Sequence, residues 1–122
     1  MKKLIFILMV GSLFGQSAFD KYIKTPINVE ALEIRDWVLY TKDTNEPYTG
    51  AVFRLYENGK KNFEGHYKDG KSDGKATFYY ITGGIMKEAH YKDRKKDGKW
   101  TYYHRNGKIQ KVEKYKDGEL VK

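Results

Sequence analysis

Gly98-Lys-Trp-Thr-Tyr-Tyr-His-Arg-Asn-Gly-Lys-Ile-Gln-Lys-Val-Glu-Lys-Tyr-Lys-Asp-Gly118 is the stretch that decides the fold. Residues 99–105 are rich in aromatics and suit a strand. Asn106-Gly107 supplies two residue types that tolerate positive φ, as a two-residue type I′ hairpin turn requires. Residues 108–116 then return as a second strand, and Asp117-Gly118 is another two-residue turn. A two-residue turn at 106–107 sets the register. Lys108 faces Arg105, Ile109 faces His104, Lys111 faces Tyr102, Glu113 faces Trp100, and Tyr115 lies opposite Gly98.

Outward from this stretch, the same unit recurs every 24 residues. Gly50, Gly74 and Gly98 open the copies. Asn58-Gly59, Thr82-Gly83 and Asn106-Gly107 are the middle turns. Tyr67-Lys-Asp-Gly70, Tyr91-Lys-Asp-Arg94 and Tyr115-Lys-Asp-Gly118 close them. Self-similarity this strict means stacked copies of one supersecondary unit. Nothing in the repeats has the apolar 3.6-residue period of a helix, and no loop is long enough for a crossover, so consecutive strands pair antiparallel. The expected fold is all-β: a single-layer antiparallel meander of about three 24-residue β-hairpin repeats, 50–73, 74–97 and 98–122.

Tyr67, Tyr91 and Tyr115 should lie over Gly50, Gly74 and Gly98 as a close-packing device. One sheet face should carry Val52, Arg54, Tyr56, Ala76, Phe78, Tyr80, Trp100, Tyr102 and His104. The other should carry Ala51, Phe53, Leu55, Lys75, Thr77, Tyr79, Lys99, Thr101 and Tyr103. Neither is aliphatic enough for a thick core, so cross-strand aromatic and Thr pairs should hold the sheet, and stability should be modest.

Residues 19–49 break the pattern and read as an atypical N-terminal cap over the exposed sheet edge. Val29 and Leu32 suit a short helix, Trp37 to Thr41 a strand, and Thr44-Asn-Glu-Pro47 a turn. Residues 1–18 read as a secretory signal peptide: Lys2-Lys3, an apolar run from Leu4 to Phe14, and small residues before cleavage within 15–19. The expected product is exported, periplasmic or secreted. Of the 24 Lys+Arg, 22 lie beyond that segment against 16 Asp+Glu, a net +6. A basic balance favours acidic partners. The absence of cysteine excludes disulfides, thiolate chemistry and lipid attachment through a cysteine.

The candidate chemical groups do not form a catalytic pattern. His66 and His90, like Glu64 and Glu88, recur at the repeat interval, which keeps equivalent side chains about 10 Å apart, too far to share a metal. His104 has no nucleophile or carboxylate at a triad spacing, and Gly83-Gly84 precedes no helix. No catalytic, cofactor or metal residue is expected, and export argues against nucleic acid.

Gly-Lys-Trp-Thr-Tyr-Tyr-x-x-Asn-Gly-Lys (98–108) followed by Tyr-Lys-Asp-Gly (115–118) resembles the bacterial variant of the MORN repeat, the membrane occupation and recognition nexus. The lead-in from Tyr40 to Gly50 is similar to the opening of YwqK-type proteins, often labelled toxin–antitoxin system antitoxins. The resemblance spans Tyr40 to Lys122. It implies hairpin repeats in a curved open sheet that binds proteins or membranes, and the antitoxin label implies a toxic partner. This chain departs from the pattern at Thr82-Gly83-Gly84, at Arg94, and at Val52 and Ala76 in the place of Trp100. The expected function is a non-enzymatic protein-interaction module, antitoxin- or immunity-like, with Phe78, Tyr80, Trp100 and Tyr102 as binding anchors. The alternative is peripheral binding to an anionic membrane surface through Lys68, Lys71, Lys92, Lys95 and Lys116.

Overall fold

The computed structural model describes residues 25–121, so the segment 1–18 lies outside the described residues. The cap comprises β1 (Ile27–Asn28), a 3-10 turn (Val29–Ala31), β2 (Leu32–Arg35) and β3 (Val38–Thr41). The repeats follow as β4 (Gly50–Leu55), β5 (Lys61–Lys68), β6 (Lys71–Ser72), β7 (Gly74–Tyr79) and β8 (Ile85–Lys92). Then come β9 (Lys95–Lys96), β10 (Gly98–Tyr103), β11 (Ile109–Lys116) and β12 (Glu119–Val121). The main sheet runs β1-β4-β5-β7-β8-β10-β11-β12, with β6 on β5 and β9 on β8, and β2–β3 form a separate hairpin. Every pair is antiparallel except β1 on β4, which is parallel.

The long-range register is as expected: Gly50, Gly74 and Gly98 pair with Tyr67, Tyr91 and Tyr115. The turns that set it are not. Only the glycines of Asn58-Gly59, Thr82-Gly83 and Asn106-Gly107 have positive φ. Gly107 donates to the His104 carbonyl and His104 to the Lys108 carbonyl, a three-residue loop with a glycine bulge. Ile109 therefore pairs with Tyr103, not His104, and Lys108 does not face Arg105. One extra residue on the return strand, Asn62, Met86 or Gln110, then restores the register. The asparagines work differently from the expectation: Asn58 and Asn106 accept from the backbone N–H two residues on, at 2.9 Å. The type I′ turns fall instead at Asp69-Gly70, Asp93-Arg94 and Asp117-Gly118, where both residues have positive φ.

The tyrosine–glycine pairing has a different cause from the expected one. A Cβ at Gly74 would meet only the His66 Cβ at 3.9 Å, and no tyrosine atom lies within 4 Å. The glycine is needed for its backbone, at φ 96°, where the strand bends between β6 and β7.

The cap lies over one face of the first repeat, making a second layer there alone. Val29, Leu32, Leu39 and Tyr48 bury Val52, with Ile27, Phe63 and Tyr67 packed around them. β1 pairs with Val52 and Phe53 on the outer edge of β4. The Leu39 N–H donates to the Gly70 carbonyl and the Gly70 N–H to the Tyr48 carbonyl, each 2.8 Å. A Cβ at Gly70 would stand 2.3 Å from Val38 Cγ1, which explains why this turn keeps glycine. Trp37 is not in the strand expected of it. It sits in the Asp36-Trp37 turn at φ 68° and is 81% exposed.

Candidate functional site

The face of the sheet that the cap begins to cover continues across repeats two and three as an aromatic and cationic surface. Cross-strand pairing aligns Arg54, Phe63, Phe78, Lys87, Tyr102 and Lys111 in one row running across β4, β5, β7, β8, β10 and β11. Alternation along each strand puts Tyr91, Trp100, Glu113 and Tyr115 on the same face. Phe63 and Phe78 pack in a tilted pair, ring centroids 4.9 Å apart and planes at 44°. Lys87 Nζ stands 4.6 Å from the Phe78 ring centre and 5.3 Å from that of Trp100. Lys96 Nζ lies 4.6 Å from the Trp100 ring and 4.7 Å from Tyr115. Such placements are attractive because the ring face carries negative charge density.

The electrostatics of this face are unbalanced. Among the described residues, neither Lys87 nor Lys96 has a carboxylate within ion-pair distance. Burial, and then the charge of Lys96, pulls Lys87 below the usual lysine value. The carboxylate of Glu113 is engaged by Tyr115 at 2.9 Å and Lys111 at 3.5 Å. Burial foremost, and then the Glu113 charge, pushes the Tyr102 hydroxyl up to about 12. A groove of about 250 Å³ opens where the cap hairpin meets this face, lined by Val29, Ile34, Phe63, Ala76, Phe78 and Tyr91.

The four expected anchors take different places. Phe78 and Tyr102 are half-buried in the row. Tyr80 spends its hydroxyl on the Tyr103 carbonyl at 2.7 Å, a brace between repeats that Tyr56 makes to Tyr79 one repeat earlier. Trp100 is only 1% exposed and its Nε1 donates to the His90 carbonyl at 3.0 Å. It underlies the face and supports Tyr91, Tyr102 and Tyr115, whose rings lie 5.3–6.4 Å from its own. Lys87 and Lys96 were missed in the sequence, where a lysine among 24 basic residues carries no mark. Only the paired register shows them beside aromatic rings.

The five turn lysines lie along one edge of the sheet. Lys68, Lys92, Lys95 and Lys116 are exposed and Lys71 is half-buried. Asp69, Asp73, Asp93, Asp97 and Asp117 are interleaved with them, and Lys71 Nζ lies 3.8 Å from Asp93. The edge is therefore a mixed-charge surface.

The opposite face holds the other polar groups. The Tyr79 hydroxyl donates to Glu64, and Tyr103 to Glu88 at 2.7 Å. Lys61, foremost, and Tyr79 hold Glu64 below the usual carboxylate range, and Tyr103 foremost does so for Glu88. Burial first, then the Glu64 hydrogen bond, pushes Tyr79 up to about 12. A shallow groove of about 820 Å³ lies here, lined by Pro26, Phe53, Leu55, His66, Lys75 and Thr77. His90 Nδ1–H donates to the Lys99 carbonyl at 3.0 Å. Among the described residues, no three His, Cys, Asp or Glu side chains gather where they could hold a metal.

These features define the class: an all-β repeat protein that presents extended faces, with its polar groups spent on bracing one repeat to the next. The chain belongs to the MORN repeat variant family, whose model matches three times, at 48–69, 72–93 and 96–117. No match is found among curated proteins or among solved structures. Repeats of this kind are protein- or membrane-interacting modules.

Proposed function

We propose that this protein is a non-enzymatic interaction module, exported from the cytoplasm, that docks an acidic segment of a partner protein on the face bearing Phe78, Lys87, Lys96 and Tyr102. The observation that carries this reading is the pair Lys87 and Lys96. Two half-buried cations stand over aromatic rings, repel each other, and have no carboxylate of their own among the described residues. An acidic side chain arriving there supplies the missing charge, and the rings supply apolar contact. The residues 1–18 direct export in this reading, so a toxic partner, in an antitoxin- or immunity-like role, would meet the protein outside the cytoplasm. The membrane alternative through Lys68, Lys71, Lys92, Lys95 and Lys116 has less support, because aspartates share that edge.

The test is titration with oligoglutamate, followed by NMR at two salt concentrations, with anionic vesicles as the second arm. Binding should perturb Lys87, Lys96 and Tyr102, weaken with salt, and be lost in Lys87→Gln/Lys96→Gln. Unchanged oligoglutamate binding by that folded variant would reject the face. Vesicle binding that maps to the turn lysines would favour the membrane alternative.

A further inference from the structure

The groove at the margin of the cap has a chemistry of its own. Its apolar walls are Phe63, Phe78 and Tyr91 from the sheet and Ile34 from the cap hairpin, and Arg54 lines it as well. Ile34 is 62% exposed, so the fold leaves this wall in contact with water. A volume of about 250 Å³ lies below the roughly 300 Å³ at which small-molecule sites begin, and suits a single apolar side chain.

The charges beside the groove have a fixed spacing. Arg54 pairs with Phe63, Phe63 with Phe78, and Phe78 with Lys87, so two rings lie between two cations. Among the described residues neither cation has a carboxylate within ion-pair distance. Neighbouring strands stand about 4.8 Å apart, which puts the backbones of Arg54 and Lys87 about 14 Å apart. An extended peptide rises about 3.3 Å per residue, so about four residues cover that distance. In such a peptide residues i, i+2 and i+4 point to one side. A chain laid across the strands thus presents i to Arg54 and i+4 to Lys87, and i+2 falls midway, over Phe63 and Phe78.

The geometry points to a partner segment of one pattern: an extended peptide reading acidic–x–apolar–x–acidic, bound across β4 to β8 with its apolar side chain in the groove beside Ile34 and its carboxylates on Arg54 and Lys87. This rests on the acidic docking proposed above, and it adds a spacing, an apolar anchor and Arg54. The pattern is symmetric, so either chain direction fits. Adjacent acids reach one cation only. A run of glutamates puts a charged side chain into the apolar groove, which costs desolvation. Nucleic acid fits less well, because bases need free ring faces on which to stack. Phe63 and Phe78 pack against each other, 4.9 Å apart, and Lys87 Nζ stands over the Phe78 ring at 4.6 Å.

NMR titration of the protein as its producing cell yields it, at low salt, tests this with three synthetic peptides. The first is Ser-Glu-Ser-Leu-Ser-Glu-Ser. The second has the same composition with adjacent acids, Ser-Glu-Glu-Ser-Leu-Ser-Ser. The third lacks the leucine, Ser-Glu-Ser-Ser-Ser-Glu-Ser. The first should bind about tenfold more tightly than the third, for the buried leucine, and about threefold more tightly than the second, for the second ion pair. Ile34→Ser should erase the leucine margin and keep the spacing margin. Arg54→Gln should do the reverse, with circular dichroism unchanged in both. Equal affinity for the three peptides, or margins indifferent to these substitutions, would overturn the pattern and leave acidic docking at Lys87 and Lys96 standing. Binding of none of the peptides, nor of oligoglutamate, would overturn both. Tighter binding of oligothymidylate at the same residues would assign the face to nucleic acid and overturn the pattern as well.

Discussion

Repeat one and repeat three are the same backbone unit kept dry in two ways. Val52 and Trp100 occupy one repeat position, 48 residues apart, with Ala76 between them. All three are nearly inaccessible, at 1%, 3% and 1% exposed for Val52, Ala76 and Trp100. Over Val52 the cap supplies the cover, through Leu39 and Tyr48. Over repeat three no cap reaches, and the position holds a tryptophan shielded by Tyr91, Tyr102, Tyr115, Lys87 and Lys96. The difference teaches that a thin sheet can replace a second layer by larger side chains in the first. The lysine ammonium groups themselves stand over the rings, Lys87 Nζ 4.6 Å from the Phe78 centre and Lys96 Nζ 4.6 Å from the Trp100 centre. One consequence is that the uncapped end keeps an aromatic and cationic face open, and the capped end does not.

The comparison breaks most directly at Trp100. Trp100→Ala should cost about 3–5 kcal/mol in denaturant unfolding, because no layer above can collapse into the space. A loss below 1 kcal/mol would mean that the tryptophan is not the cover of repeat three. Leu39→Ala tests the other end and should cost about 2–4 kcal/mol. It should also raise amide exchange at Gly70 and Tyr48, whose bonds hold the cap, and leave Trp100 fluorescence unchanged. A parallel change in both repeats would show that the ends are one cooperative unit.

Smaller effects sharpen the picture on the opposite face. Tyr79→Phe removes the hydroxyl that braces β7 to Glu64 and should cost about 1 kcal/mol. The same brace predicts an acid limb. Glu64 sits below its ordinary value of 4.5 when folded, so its contribution is complete above that value and is lost as pH falls through the lower folded value. Melting temperature should drop in that window, and Glu64→Gln should flatten the drop. An identical acid limb in the variant would remove Glu64 from the account. The smallest effect is at Arg94, a non-glycine residue at φ 73°. Arg94→Gly should stabilise by about 0.5 kcal/mol, the relief of left-handed strain being partly offset by the freedom of glycine in the unfolded chain. Calorimetry that showed destabilisation would indicate that the Arg94 contact with the Trp37 carbonyl, 3.5 Å, matters more than the strain.

Much of the fold was legible because each repeat states its own pattern three times. The pairing of Gly98 with Tyr115 followed from the turn position alone, even though the turn type was wrong. A three-residue loop and a one-residue bulge at Gln110 shift the register in opposite senses and cancel. Turn type was not legible, since Asn-Gly and Asp-Gly satisfy the same residue preferences, and the choice depends on the strand twist each turn must join. The site was only partly legible. Phe78 and Tyr102 were visible as aromatics, but Lys87 and Lys96 gain meaning only from the strands that lie beside them. Trp100 read as an exposed anchor because a sequence shows residue type and not the rings packed around it.

The sequence by itself determined the repeat, its period, its strand order and the residues that share a face, because those are local properties of turns and alternation. Tertiary structure alone decided which face the cap covers, which tryptophan is buried and which is exposed, and which cations lack a counter-charge. Those depend on contacts between residues as far apart as Trp37 and Arg94, or Val29 and Val52. No local pattern encodes such contacts, because packing and charge balance are properties of neighbours in space.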